Sequence, residues 1–148
     1  MSNKELQNSL QKIFIEFGAE LGLALLAVQE SAYTTSIYLS GSFTLELEID
    51  WHEYNICVYA VKLRDNRIPP KDIIYTYKDG QWCRKYIEEI YHTQRPVIHK
   101  QMRYQPKFLF DSLKYYISLI SNEPMTLLSF LDKTIEQRYF SSYFRKKE

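Results

Sequence analysis

The clearest pattern in the chain is a strict alternation from Phe43 to Trp51. Phe43, Leu45, Leu47, Ile49 and Trp51 interleave with Thr44, Glu46, Glu48 and Asp50. Period 2 over nine residues predicts a strand with one dry and one wet face. Leu6, Leu10, Ile13, Phe14 and Phe17 instead recur at helical spacing, so Asn3–Phe17 is expected to form an amphipathic helix. Ser2 or Asn3 would cap its start, and Gly18 would stop it. Leu23–Ala32 reads as a first strand and Ser36–Leu39 as the next, followed by a bulge or tight turn at Ser40-Gly41. After a turn at His52-Glu53, Tyr54–Leu63 returns as a strand of mixed faces.

The second half reads differently. Asp65–Pro70 is expected to be a loop and Ile73–Tyr77 a short extended piece. Asp79-Gly80 allows a hairpin turn or a helix start. The four-residue recurrence of Trp82, Tyr86 and Ile90 favours a helix over Gln81–His92. Thr93–Pro106 is a polar, basic connection. Helices follow over Lys107–Ser121 and, with Pro124 at a first helical position, over Met125–Phe144, where Ile135, Tyr139 and Phe140 join the inward side. Strands grouped between helices predict a single α+β domain over residues 1–148: an antiparallel three- to four-stranded meander packed against N-terminal and C-terminal helices.

Composition narrows the function classes. The chain has 148 residues, 45% hydrophobic and 25% charged, and a formal charge of +1. A near-neutral balance argues against a general nucleic-acid binder. No stretch is apolar for long enough to span a bilayer, and no secretory signal is read at the start, so a cytoplasmic protein without a membrane partner is expected. The charge is uneven: residues 1–80 carry 7 basic and 11 acidic side chains, residues 81–148 carry 12 and 7. Cys57 and Cys83 have no CxxC or metal-ligand spacing and read as reduced thiols.

Candidate chemistry is sparse. Glu46, Glu48 and Asp50 share one strand face, about 7 Å apart in steps of two rises. Such a row is first a solvated face, and second an acidic patch for a basic partner. A nuclease-like metal site would need an acid on the next strand, where Tyr59-Ala60-Val61-Lys62 stands instead. His52, His92 and His99 lie in no zinc or metalloprotease motif. Neither a serine elbow nor a phosphate-binding glycine loop is present. No catalytic residue, metal ligand or cofactor is therefore assigned. The chain is rich in aromatics, with 13 Tyr, 8 Phe and 2 Trp. Tyr33, Tyr38, Tyr54, Tyr75 and Tyr77 fall in strands or their joins, where tyrosine fits both half-buried sheet faces and protein interfaces.

The N-terminal amphipathic helix, the stretch Ser40-Gly41-Ser42-Phe43-Thr44-Leu45-Glu46-Leu47-Glu48-Ile49-Asp50-Trp51 and the following Tyr54-Asn55-Ile56-Cys57-Val58-Tyr59 together resemble small bacterial α+β proteins. Some of these are immunity proteins of polymorphic toxin systems. The resemblance covers residues 3–92 in layout and strand style and includes no signature motif. It implies a non-catalytic, cytoplasmic protein that neutralises a toxin by occlusion. The expected partner surface is Glu46, Glu48 and Asp50 with the nearby Trp51 and Tyr54. A basic, nucleic-acid-handling toxin would suit that acidic face. Two other classes stay open: a small enzyme assembled from His52, Glu53, His92 and Asp79, and a structural homodimer built on an aromatic patch.

Overall fold

A computed structural model describes residues 1–94 and 104–134. Helix α1 (Asn3–Glu20) leads into four strands, β1 (Ala24–Glu30), β2 (Thr34–Ser40), β3 (Thr44–Asp50) and β4 (Asn55–Val61). After a long connection come β5 (Arg84–Tyr86), the short α2 (Ile87–Ile90), α3 (Pro106–Asn122) and α4 (Pro124–Thr134). The strands form one antiparallel sheet in sequence order, β1-β2-β3-β4-β5. The α+β class and the meander are as expected, with a fifth strand added.

Local sequence explains α1. Ser2 Oγ accepts from the Glu5 amide at 3.1 Å and donates to the Glu5 carboxylate at 3.3 Å, so the two residues tie the first turn together. Leu6, Leu10, Phe14 and Phe17 then bury one stripe against the sheet. At Gly18 the helix approaches β2 so closely that a Cβ would sit 2.4 Å from Leu39 Cδ1, which only glycine permits without displacing the core.

The dry face of β3 belongs to one core with side chains of α1, α3 and α4. Leu45, Leu47 and Ile49 are fully buried with Ile37 and Leu39 of β2 and Val58 and Ala60 of β4. From above them, α3 contributes Leu109, Leu113 and Ile120, and α4 contributes Leu127 and Leu131. Leu47→Ala is accordingly expected to lower the unfolding free energy by roughly 2–5 kcal/mol in chemical denaturation, the range for a buried leucine that leaves a cavity. A loss under about 0.5 kcal/mol is the range of surface changes and would contradict this packing.

The predicted helix over Gln81–His92 is corrected. Arg84–Tyr86 is a strand, and helix occupies only Ile87–Ile90. The open edge of β4 decides this, pairing Val61 with Arg84, Ala60 with Lys85 and Tyr59 with Tyr86. Three ladder positions and the burial of Arg84 outweigh the four-residue spacing of Trp82, Tyr86 and Ile90. Asp79-Gly80 makes the turn, with Gly80 at φ 86° and the Tyr77 amide bonded to the Gln81 carbonyl at 2.7 Å. Residues 135–144 of the last predicted helix, with Ile135, Tyr139 and Phe140, and residues 95–103 of the predicted loop, with His99, lie outside the described residues.

Candidate functional site

The face of the sheet turned away from the helices carries the acidic row, and it is covered. The connection 62–83 between β4 and β5 crosses this face. Beneath it Tyr38, Cys57, Tyr59 and Val61 form a second buried cluster, edged by Leu63 and Ile68. Glu46 stands in register between Tyr38 and Tyr59 and is 0% exposed. Its Oε1 accepts from Arg84 Nε at 2.8 Å, and its Oε2 accepts from Lys71 Nζ at 2.5 Å. Lys71 also donates to Glu48 at 2.9 Å, whose other oxygen accepts from the Tyr59 hydroxyl at 3.2 Å. Arg84 uses all five of its N–H groups. Besides Glu46, they reach the Tyr38 hydroxyl at 3.0 Å and the carbonyls of Pro69, Pro70 and Ile73 at 2.9, 3.4 and 2.9 Å.

The expectation of a solvated acidic face is corrected by this arrangement. Glu46 is a buried counterion, Glu48 is mostly covered, and Asp50 is engaged at the end of its strand. Asp50 Oδ1 accepts the amides of His52 and Glu53, both at 2.9 Å, and so holds the β3–β4 turn. Two carboxylates and two cations balance, and the arginine fork fastens the connection's backbone to the sheet. Such a cluster is a clamp, with its donors and acceptors committed to one another.

The electrostatics follow from burial and pairing. Burial pushes the Glu46 carboxyl upward, but Lys71 and Arg84 more than offset it, leaving its pKa below the ordinary 4.5. Burial likewise pulls Lys71 downward, and Glu46 and Glu48 reverse this, leaving its pKa above 10.5. A depressed carboxylate pKa in the folded state contributes stability above the unfolded value, lost as pH falls through the folded one. A raised lysine pKa contributes stability below the unfolded value, lost as pH rises through the folded one. A stability plateau is therefore expected between these limits, with loss below about pH 4.5. In Glu46→Gln the plateau should be lower and the acid limb shallower, as read by urea unfolding across pH. An acid limb identical to that of the wild type would contradict the pairing.

The other predicted site residues lie at one end of the sheet, where the turns after β1 and after β3 sit side by side. Tyr33 is 64% exposed, with its ring 5.6 Å edge-on from His52. Trp51 packs edge-on against Tyr54 at 6.4 Å, and Tyr54 against Tyr104 at 6.0 Å. Tyr104 is 55% exposed. Tyr54 and Tyr104 both take positive φ, 56° and 66°, a conformation usually filled by glycine or asparagine and costly for a bulky side chain. Trp51 is held from behind. Its Nε1 donates to Thr35 Oγ1 at 3.0 Å, Thr35 donates to Gln7 Oε1 at 3.3 Å, and Gln7 Nε2 donates to Glu30 at 2.9 Å. This relay ties the rim to α1.

The residues considered for an enzyme do not converge. His52 lies 3.9 Å from Glu53 in the β3–β4 turn, both well exposed. Asp79 lies beyond the opposite end of β4, ion-paired to Arg64 at 2.6 Å. Near Arg64 a cleft of about 500 Å³ opens, lined by Ser40, Ser42, Lys62, Asn66, Tyr77 and Gln81 among others. The Arg64 guanidinium is stacked 3.8 Å over the Tyr77 ring, so its charge is already partnered by an acid and a ring. Among the described residues no three His, Cys, Asp or Glu side chains gather as a metal site. No helix among them is long and apolar enough to cross a membrane. No family model, curated protein or solved structure matches the chain.

Lys71, Arg84 and Tyr104 were missed by sequence reasoning. Lys71 and Arg84 are ordinary cations in a loop and in a misread helix, 25 and 38 positions from Glu46. Tyr104 follows Tyr54 only after β4, β5 and α2.

Proposed function

We propose that the protein is a non-catalytic protein-binding module whose contact surface is the aromatic rim of Tyr33, His52, Trp51, Tyr54 and Tyr104. In its most concrete form it is an immunity-type protein of a bacterial cell, neutralising a toxin by occluding it. The observation that carries this reading is the prearranged aromatic row, exposed at Tyr33, His52 and Tyr104 and half-buried at Trp51 and Tyr54, with strained backbone at Tyr54 and Tyr104. Aromatic side chains provide rigid contact area at low entropic cost, and they dominate binding energy where they can be desolvated. Positive φ at two tyrosines fixes ring directions that ordinary turns would not present. The relay behind Trp51 removes much of the ordering cost at binding.

Charge refines the partner. Glu53 is exposed beside the rim, and Glu48 is partly so on the flanking strand face. A toxin with a basic, nucleic-acid-handling surface would be steered to such an edge. This keeps Trp51 and Tyr54 as partner contacts, gives Glu48 and Asp50 supporting places, and assigns Glu46 to the fold. Such a protein works in the cytoplasm, where Cys57 and Cys83 as free thiols are the ordinary state.

Pull-down from the native host supplies the partner, and titration calorimetry supplies the affinity. Tyr33→Ala is expected to weaken binding by roughly 2 kcal/mol or more, about thirtyfold in Kd, with an unchanged melting temperature. Unchanged affinity in Tyr33→Ala and also in Tyr104→Ala would overturn the rim as the contact surface.

A further inference from the structure

The chain of hydrogen bonds behind Trp51 has a direction, and the chemistry of its two ends sets it. The indole N–H of Trp51 can only donate, and it donates to Thr35 Oγ1 at 3.0 Å. The Glu30 carboxylate at the far end can only accept, and it takes Gln7 Nε2 at 2.9 Å. Between them Gln7 can stand only one way. With Nε2 on Glu30, its Oε1 is left to accept the Thr35 hydroxyl at 3.3 Å, and the Thr35 oxygen is left to accept from Trp51. Gln7 and Thr35 are both buried, so a polar group left over here has no water to turn to.

A reversed Gln7 amide would fail at both ends. Its oxygen would lie against the Glu30 carboxylate. Its Nε2 would donate to Thr35 Oγ1, which would then face two donors while its own hydrogen lost Gln7 as acceptor. A hydroxyl so placed is relieved by turning from one donor, and Trp51, half-buried, is the one free to swing outward. Only an acceptor at position 30 keeps the amide in its present sense. Glu30 itself is exposed and outside the rim, and its Oε1 also takes Lys4 Nζ at 3.4 Å. The Gln7 bond and Lys4 hold its carboxyl below the ordinary 4.5, so the acceptor is charged at neutral pH.

We propose that Glu30 is a positioning residue of the rim: as an obligatory acceptor it polarises the relay through Gln7 and Thr35, and so fixes the Trp51 indole and the edge-on packing of Tyr54 against it. The consequence for partner binding rests on the rim as contact surface; the direction of the relay does not.

Solvent exchange of the Trp51 indole N–H in the free protein tests it. No partner is needed, so failure here is separate from failure of the rim as contact surface. The chain has two tryptophans, so an isotope-labelled sample gives two indole signals, which Trp51→Phe assigns. Thr35→Val removes the acceptor of the indole and marks the rate of an open relay, expected about tenfold above the wild type. Glu30→Lys sets a donor where Gln7 needs an acceptor and should approach that rate. Glu30→Gln keeps an amide oxygen for Gln7 and should stay near the wild type. The deciding variant combines Lys4→Glu with Glu30→Lys. It restores the surface ion pair with its sign reversed, so the melting temperature should match the wild type. Exchange should nevertheless stay fast, because a donor still faces Gln7. Wild-type protection in this double variant would overturn the proposal, by making Glu30 a partner of Lys4 alone. So would a Thr35→Val protein whose Trp51 N–H exchanges as slowly as in the wild type.

Discussion

Replacing Arg84 by alanine is expected to cost roughly 3–5 kcal/mol of unfolding free energy, the range for breaking a buried ion pair by removing one partner. The loss is large because Arg84 answers several buried groups at once. Without it Glu46 Oε1 is a desolvated anion with only Lys71 nearby, and the carbonyls of Pro69, Pro70 and Ile73 lose the guanidinium, Pro70 keeping the Ile73 amide and Ile73 the weak Cys83 thiol. Urea denaturation reads the difference directly. Arg84→Lys is informative beside it, since an ammonium keeps the charge but cannot supply the fork that reaches Glu46, Tyr38 and three carbonyls together. It should recover only part of the loss. If Arg84→Ala unfolded within about 0.5 kcal/mol of the wild type, the cluster would contribute no more than a surface pair does.

The second large effect concerns the acidic row as a whole. Exchanging Glu46, Glu48 and Asp50 together for lysine should abolish cooperative folding. The exchange sets two new cations beside Lys71 and Arg84 under the connection 62–83, and it removes the acceptor that holds the turn at His52 and Glu53. The expected penalty is roughly 5 kcal/mol or more, comparable with the whole stability of an ordinary domain, about 5–15 kcal/mol. Far-UV circular dichroism and a urea titration should show no sigmoidal transition. A triple variant with a cooperative transition near the wild-type midpoint would mean that this face is solvated. Any loss of partner binding in this variant would follow from unfolding, which is why rim substitutions are the sound probes of contact.

The contrast between the two faces of β3 shows what a sequence encodes locally. Leu45, Leu47 and Ile49 identify a dry face because only burial justifies three large aliphatics in alternation. The same alternation says that Glu46, Glu48 and Asp50 point the other way, and nothing about what lies there. What lies there is the connection 62–83, which has little periodicity and reaches the face through Lys71 and the backbone around Pro69 and Pro70. Its anchor, Arg84, is a residue whose strand state depends on the free edge of β4. Helix α1 was legible because its cap Ser2 and its apolar stripe are local, but the expected stop at Gly18 is corrected: the helix runs on to Glu20, Gly18 is buried inside it, and the glycine at positive φ just beyond is Gly22, at 77°. The three-residue β5 was not legible, because its pairing partners lie 23 to 27 positions earlier.

The candidate contact surface divides in the same way. Trp51 and Tyr54 were visible as aromatics at the end of an alternating strand. Tyr33 was visible as an aromatic in a join, but its place beside His52 comes from the β1–β2 and β3–β4 turns meeting at one end of the sheet. The relay from Glu30 through Gln7 and Thr35 to Trp51 joins residues 16 to 28 positions apart. No spacing rule reports such a chain of donors. It becomes visible only when α1 lies across the sheet.

Amide hydrogen exchange, compared between the free protein and its complex with the captured partner, tests most directly the division of labour between rim and clamp. Slowed exchange on binding is expected at the turns around residues 31–34 and 51–54, with the connection 62–83 unchanged. Protection gained across 62–83, with both turns exchanging as in the free protein, would contradict it.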